Sequence, residues 1–190
     1  MPGGCASTRE FAENYHVSDC AQWLSQLDKT VVSDLQLGDA GLVLSDPKST
    51  ISLQPDASHV TFYGDTVTGT TIGNEDVTDY RNFRSQMRRF AKVLATLYKG
   101  RPPKLVEGNW TDRITLLKLG LGLKMLGKSH MQDLMRLALI NIYDVMNEYF
   151  KHPALKSAIA LDAITGSTMG PRSPNTVFSY LHKATGEFLS

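Results

Sequence analysis

The chain has 190 residues, 42% of them hydrophobic and 21% charged, and a formal net charge of +1. That length suits one domain, or one large and one small lobe, with roughly 70% of the unfolded surface buried on folding. The balance of charge argues against a protein that lives on nucleic acid, and no charge-free apolar run reaches the ~18 residues of a membrane span.

In chain order, residues 1–13 read as irregular. From Ser18 a helix is predicted, capped by Ser18 or Asp19, with Ala21, Trp23, Leu24, Leu27, Val31 and Leu35 at helical spacing and Gly38 and Gly41 ending it. Between Leu42 and Ile72 the pattern changes to short β-branched or aromatic runs at 42–44, 50–53, 60–63 and 67–72. Asp46-Pro47, Gln54-Pro55-Asp56 and Gly64-Asp65 divide them, which predicts an antiparallel meander. A helix follows from Glu75 to about Lys99, with an apolar stripe from Val77 through Phe83, Met87 and Phe90 to Leu97. Residues 111–127 alternate leucine with lysine or glycine, at strand period, yet their neighbours favour a helix. Ser129–Phe150 reads as one well-buried helix. Pro153 suits the first turn of the next, Gly166 ends it, and Ser173-Pro174 suits the cap and first position of the last. Helix, strands, then helices make the fold class α+β: a small antiparallel sheet, about residues 42–72, packed with a mostly helical C-terminal half.

Few constellations carry chemistry. Gly120, Gly122 and Gly127 miss the dinucleotide fingerprint G-x-G-x-x-G, because residue 125 is Met; they read as close packing of a helix against its neighbours or an apolar ligand. The five histidines make neither HxxxH nor HExxH, so no metal site is expected. The basic residues from Arg81 to Lys104 read as a solvated helix face partly paired with Asp76 and Asp79, with anionic lipid or nucleic acid as the alternative contact. Asp162, inside an apolar run, is expected at the helix surface or accepting amides of the next turn. That turn, Gly166 to Pro174, holds two glycines and two prolines: either a stiff loop whose backbone can approach a ligand, or a tight helix–helix connection. Cys5 and Cys20 lack CxxC spacing and a companion pair. With no signal-peptide core at the N-terminus, reduced thiols and a cytoplasmic location are the expectation.

The run L-K-S-A-I-A-L-D-A-I-T-G (155–166), with G-P-R-S-P-N-T-V-F-S-Y-L-H-K-A-T-G (170–186), resembles the FAD-dependent phytoene desaturase-like oxidoreductases. The start, Gly3-Gly4-Cys5-Ala6-Ser7-Thr8-Arg9-Glu10, is similar to the glycine-rich segment after that family's first βαβ unit. V-V-S-D-L-Q-L-G-D-A-G-L (31–42) looks like the start of its substrate domain, and residues 45–127 match in pattern alone. The resemblance implies an internal fragment of such an enzyme. Residues 1–15 would be a remnant of the FAD-binding domain, and 16–190 the substrate-binding (cap) domain, incomplete at its C-terminus.

On that resemblance Gly3, Gly4 and Thr8 would lie near flavin. Gly166, Thr168, Gly170, Pro171, Ser173, Thr176 and Tyr180 would line the substrate side. FAD would be the cofactor of the intact parent, with none held by this chain alone, and flavin would accept a hydride from an apolar substrate. Tyr180 and His182 are the nearest candidates for an acid or base, and no catalytic residue is assigned. The expected partners are an apolar small molecule, a membrane surface, and further copies of the chain through exposed apolar surface. The alternative is a non-catalytic helical module that binds a protein or an amphiphile.

Overall fold

The computed structural model describes residues 4–21, 24, 26–45, 48–98 and 101–188. The predicted positions Gly3, Trp23, Asp46-Pro47 and Lys99 lie outside the described residues.

The N-terminal expectations need correction. Residues 1–13 are not wholly irregular: after a 3-10 turn at Gly4–Ala6, β1 (Thr8–Ala12) pairs antiparallel with β2 (Tyr15–Ser18). Glu13-Asn14 closes the hairpin, with Asn14 at φ 62° and its amide donating to Glu10 Oε1 at 2.7 Å. Asparagine tolerates that left-handed backbone better than most residues. Ser18 is therefore the end of a strand and not a helix cap. Helix α1 spans only Lys29–Asp34, started by Asp28, whose carboxylate accepts the Thr30 amide.

The meander is borne out in part. Strands β3 (Thr50–Ser52), β4 (Val60–Tyr63) and β5 (Thr66–Gly69) form one antiparallel sheet in that order. Leu42–Leu44 belongs to no strand, and Val43 is 87% exposed. Val60 and Phe62 share one face of β4, and Val67 stands opposite Phe62 across the ladder. Val60 and Val67 are buried, and Phe62 meets Tyr80 edge-on at 5.6 Å.

Helix α2 (Asn74–Tyr98) is the spine of the core. Tyr80, Phe83, Met87, Phe90, Leu94 and Ala95 are buried along one stripe, as their spacing predicts. Its partners are β5, α3 (Trp110–Met125), α5 (Ile142–Tyr149), α7 (Thr176–Ala184) and the closing 3-10 turn Thr185–Phe188. Phe83 alone touches the rings of Tyr149, Phe150 and Tyr180 at 5.3–5.7 Å. Helix α3 begins with a capping box: Asn109 accepts the Asp112 amide, and Asp112 accepts the Asn109 amide. The buried Asp112 carboxylate also holds Arg101 at 3.0 Å. At Gly122 a Cβ would sit 3.3 Å from Val93, so this glycine does serve close helix packing, whereas at Gly120 and Gly127 it would meet open space and the expected packing is not found.

The single helix expected over Ser129–Phe150 is two: α4 (Lys128–Leu139) and α5, broken at Ile140-Asn141. The break has a cause in the backbone amides at the start of α5, which a helix cannot satisfy from within. Asn141 Oδ1 accepts the Asp144 amide at 2.9 Å, the Pro171 carbonyl accepts Tyr143 at 3.1 Å, and Thr176 Oγ1 accepts Ile142 at 2.8 Å. Helix α6 (Pro153–Ile164) starts at Pro153 and stops before Gly166, φ 83°, as read from the sequence. Ser173-Pro174 does not open α7. Asn175, in the left-handed region at φ 65°, precedes its first residue, and Ser173 closes the turn.

Removing the Thr176 hydroxyl leaves the buried Ile142 amide unpaired. Thr176→Val is expected to destabilise the fold by about 1–3 kcal/mol and Thr176→Ser by far less, measured by urea unfolding.

Candidate functional site

The glycine–proline turn between α6 and α7 is fixed to α5 along its length. Besides the Pro171 and Thr176 bonds, the Arg172 guanidinium lies 4.2 Å from the centre of the Tyr143 ring. Hydrogen bonding to Arg172 is also the first cause that holds the Tyr143 phenol below its usual pKa. Within the turn Gly170 N–H donates to Ser173 Oγ at 3.2 Å, and Ser167 Oγ donates to the Ile164 carbonyl at 2.8 Å.

The structure separates the predicted substrate-side residues. Gly166 lines a cleft of about 330 Å³ with Ala163, Thr165, Phe178, His182 and Lys183, between the end of α6 and the outer face of α7. Thr168 and Gly170 are exposed on the turn, where Pro171 and Ser173 are half-buried. Thr176 and Tyr180 are in the core and line nothing open. Asp162 is at the helix surface, as one of its two readings had it. Lys183 Nζ stands 3.6 Å from its carboxylate and donates to its carbonyl at 2.6 Å, which secures the end of α6.

On the flavin side, Gly4 is exposed in the 3-10 turn and Thr8 in β1, and the expected boundary between residues 15 and 16 falls inside the β1–β2 hairpin. A Cβ built on Gly4 would meet open space, and the residue stands at φ 50°, in the left-handed region that favours glycine. Among the described residues no group of three or more His, Cys, Asp or Glu could hold a metal ion.

Tyr180 takes part in a buried polar network that sequence reasoning missed. Its hydroxyl accepts from Arg84 at 3.2 Å. The same guanidinium donates to Glu187 at 2.8 Å, and its Nε stands 3.6 Å from Asp65 Oδ1, an ion pair too long for a hydrogen bond. Arg88 bridges Asp65 and Glu187 as well. Burial opposes the charge on Arg84, but Tyr180, Tyr80 and Glu187 outweigh it and raise the guanidinium pKa. Burial raises the Tyr180 phenol against the opposing pull of Arg84, so Tyr180 keeps its proton at neutral pH and is unsuited to act as a base. His182, the other candidate, lies at the cleft with its ring 4.9 Å from Tyr98.

A second, polar cleft of about 260 Å³ was also not foreseen. It is lined by Asn82, Ser85, Gln86, Arg89, His130 and Tyr149. Arg89 and His130 approach to 3.4 Å, and Tyr149 donates to Gln86 at 2.6 Å. Separations of 41 and 63 residues leave no local signal for either pair.

Helix α3 presents the third feature. Trp110, Leu117 and Met125 are 70–80% exposed, and Ile114 and Leu121 about half. Leu123 and Leu126 pack against the core on the other side. The helix is apolar on both faces.

No protein-family model, curated protein or solved structure matches the chain significantly. No helix among the described residues is long and apolar enough to cross a membrane.

The phenols of the network predict an alkaline limit. Burial pushes Tyr80 up from 10.0 to about 12, with Arg84 opposing. The folded chain keeps a proton that the unfolded chain has released. Stability is therefore full below pH 10 and declines as pH rises toward 12. In urea melts across that window Tyr80→Phe is expected to flatten the decline; an unchanged slope would contradict the assignment.

Proposed function

We propose that the chain is the substrate-binding (cap) part of an FAD-dependent oxidoreductase of the phytoene desaturase-like kind, acting on an apolar substrate. The observation that supports this most is the α6–α7 cleft. It opens on the stretch that resembles the family, and Ala163, Phe178 and the Gly166 backbone contribute to its wall. The backbone of Gly166 and the ring of Phe178 offer contact without a charge to desolvate. In this reading flavin supplies the redox chemistry and is held elsewhere in the whole enzyme. The part of this chain is to seat the substrate and keep water from it.

A second reading is a helical module that binds a protein or an amphiphile and catalyses nothing. Two observations favour it: Thr176 and Tyr180 are occupied by bonds within the fold, and α3 offers an apolar face.

After gel filtration with excess FAD, the purified chain is expected to lack flavin absorption in the visible. It is expected to bind an apolar polyene probe, roughly tenfold more weakly after Phe178→Gln. Stoichiometric retained FAD would overturn this division of roles. Probe binding indifferent to Phe178→Gln would remove the cleft from the substrate path and leave the second reading.

A further inference from the structure

The outward residues of α3 fall at spacings of 4, 3, 4 and 4: Trp110, Ile114, Leu117, Leu121 and Met125. At about 100° per residue they occupy one narrow stripe. The residues on either side are cations. Arg113 and Lys124 flank one edge, Lys118 flanks the other, and all three are exposed. The acid of this helix, Asp112, is turned inward and held by Arg101. From 101 to 128 the chain carries six basic residues against two acidic ones. Leu105 and Val106, just ahead of the helix in the chain, are also about 80% exposed. Arg113 lies 5.5 Å from the Trp110 ring, an amphipathic pair of the sort that settles at a lipid headgroup boundary.

We propose that α3 lies flat on an anionic lipid surface, with its apolar stripe in the headgroup–acyl boundary and Arg113, Lys118 and Lys124 on lipid phosphates. The charge pattern selects this occupant. A helix lying in an interface needs an apolar face with basic residues beside it, and its hold increases with anionic lipid. A second copy on the same stripe would set the same cations against one another with no acid between them, which opposes self-association there. Sixteen residues give a contact about 24 Å long. The proposal rests on α3 alone and does not depend on the oxidoreductase reading. It would also place a protein that handles an apolar molecule where such molecules partition.

The test is co-sedimentation of the full chain with vesicles of phosphatidylcholine alone and of phosphatidylcholine mixed with phosphatidylglycerol. Binding is expected to the mixed vesicles and to be much weaker to the neutral ones. Lys118→Gln with Lys124→Gln should weaken it by roughly fivefold per lysine. Leu117→Gln with Leu121→Gln should weaken it by roughly tenfold or more. These side chains are exposed, so the urea midpoint should stay near that of the parent. In a Trp23→Phe background, Trp110 emission should shift to the blue on mixed vesicles. Failure to pellet with mixed vesicles, or undiminished pelleting of the leucine variant, overturns the proposal. So does a leucine variant that turns a dimer into a monomer while vesicle binding is unchanged.

Discussion

Arg84 is the point at which the distant parts of this fold are tied. A guanidinium with 17% of its side chain exposed needs partners, because an unpaired buried charge is strongly destabilising. It finds them on three other elements: Asp65 in the β4–β5 turn, Tyr180 on α7, and Glu187 in the closing 3-10 turn. The surrounding apolar packing gives cohesion without direction, since Phe83, Phe90 and Met87 would accept several arrangements of neighbours. The ion network specifies one. It fixes the hairpin and α7 to the same length of α2. With α7 fixed, the turn ahead of it is held over the start of α5, where Thr176 and Pro171 meet amides that have no partner within the helix.

That chain of constraints bears on function. Two of the residues expected to meet substrate, Thr176 and Tyr180, are bonded within the protein, and a raised phenol pKa removes Tyr180 from proton abstraction. The stiffness of the glycine–proline turn is accounted for by helix capping. The cleft behind it, with Gly166 and Phe178, and the apolar face of α3 stay open to a ligand. Both surfaces suit an apolar partner, and they lie on different elements. Substrate seating and attachment to a surface can therefore be separated by mutation.

Sequence alone carried the regular elements well. The α2 stripe, the strand at 60–63, Pro153 at the head of α6 and Gly166 at its end follow from periodicity and turn chemistry, while the run expected at 67–72 pairs only over 66–69. It misplaced boundaries that depend on partners far along the chain. An apolar pattern over 129–150 runs straight through Asn141, and the break is stabilised by Thr176 and Pro171, some 30 residues away. The β1–β2 hairpin was hidden because all but Ser18 of its strand residues are exposed, so no alternation marks it. The leucines at 117–125 were visible but ambiguous. Their every-second-residue pattern suggests a strand, whereas on a helix half of them face the core and half face out. The Arg84 network left no local trace, since its members are spread from residue 65 to residue 187.

The central claim on surface attachment is that α3 is the element that meets lipid and that the glycine–proline turn is structural. Amide hydrogen exchange of the whole chain, with and without vesicles containing phosphatidylglycerol, tests it most directly. The account predicts that added lipid slows exchange over residues 104–126 and leaves the amides of 166–176 and 142–144 as they were. Slowing confined to 163–183, with α3 unaffected, would contradict it.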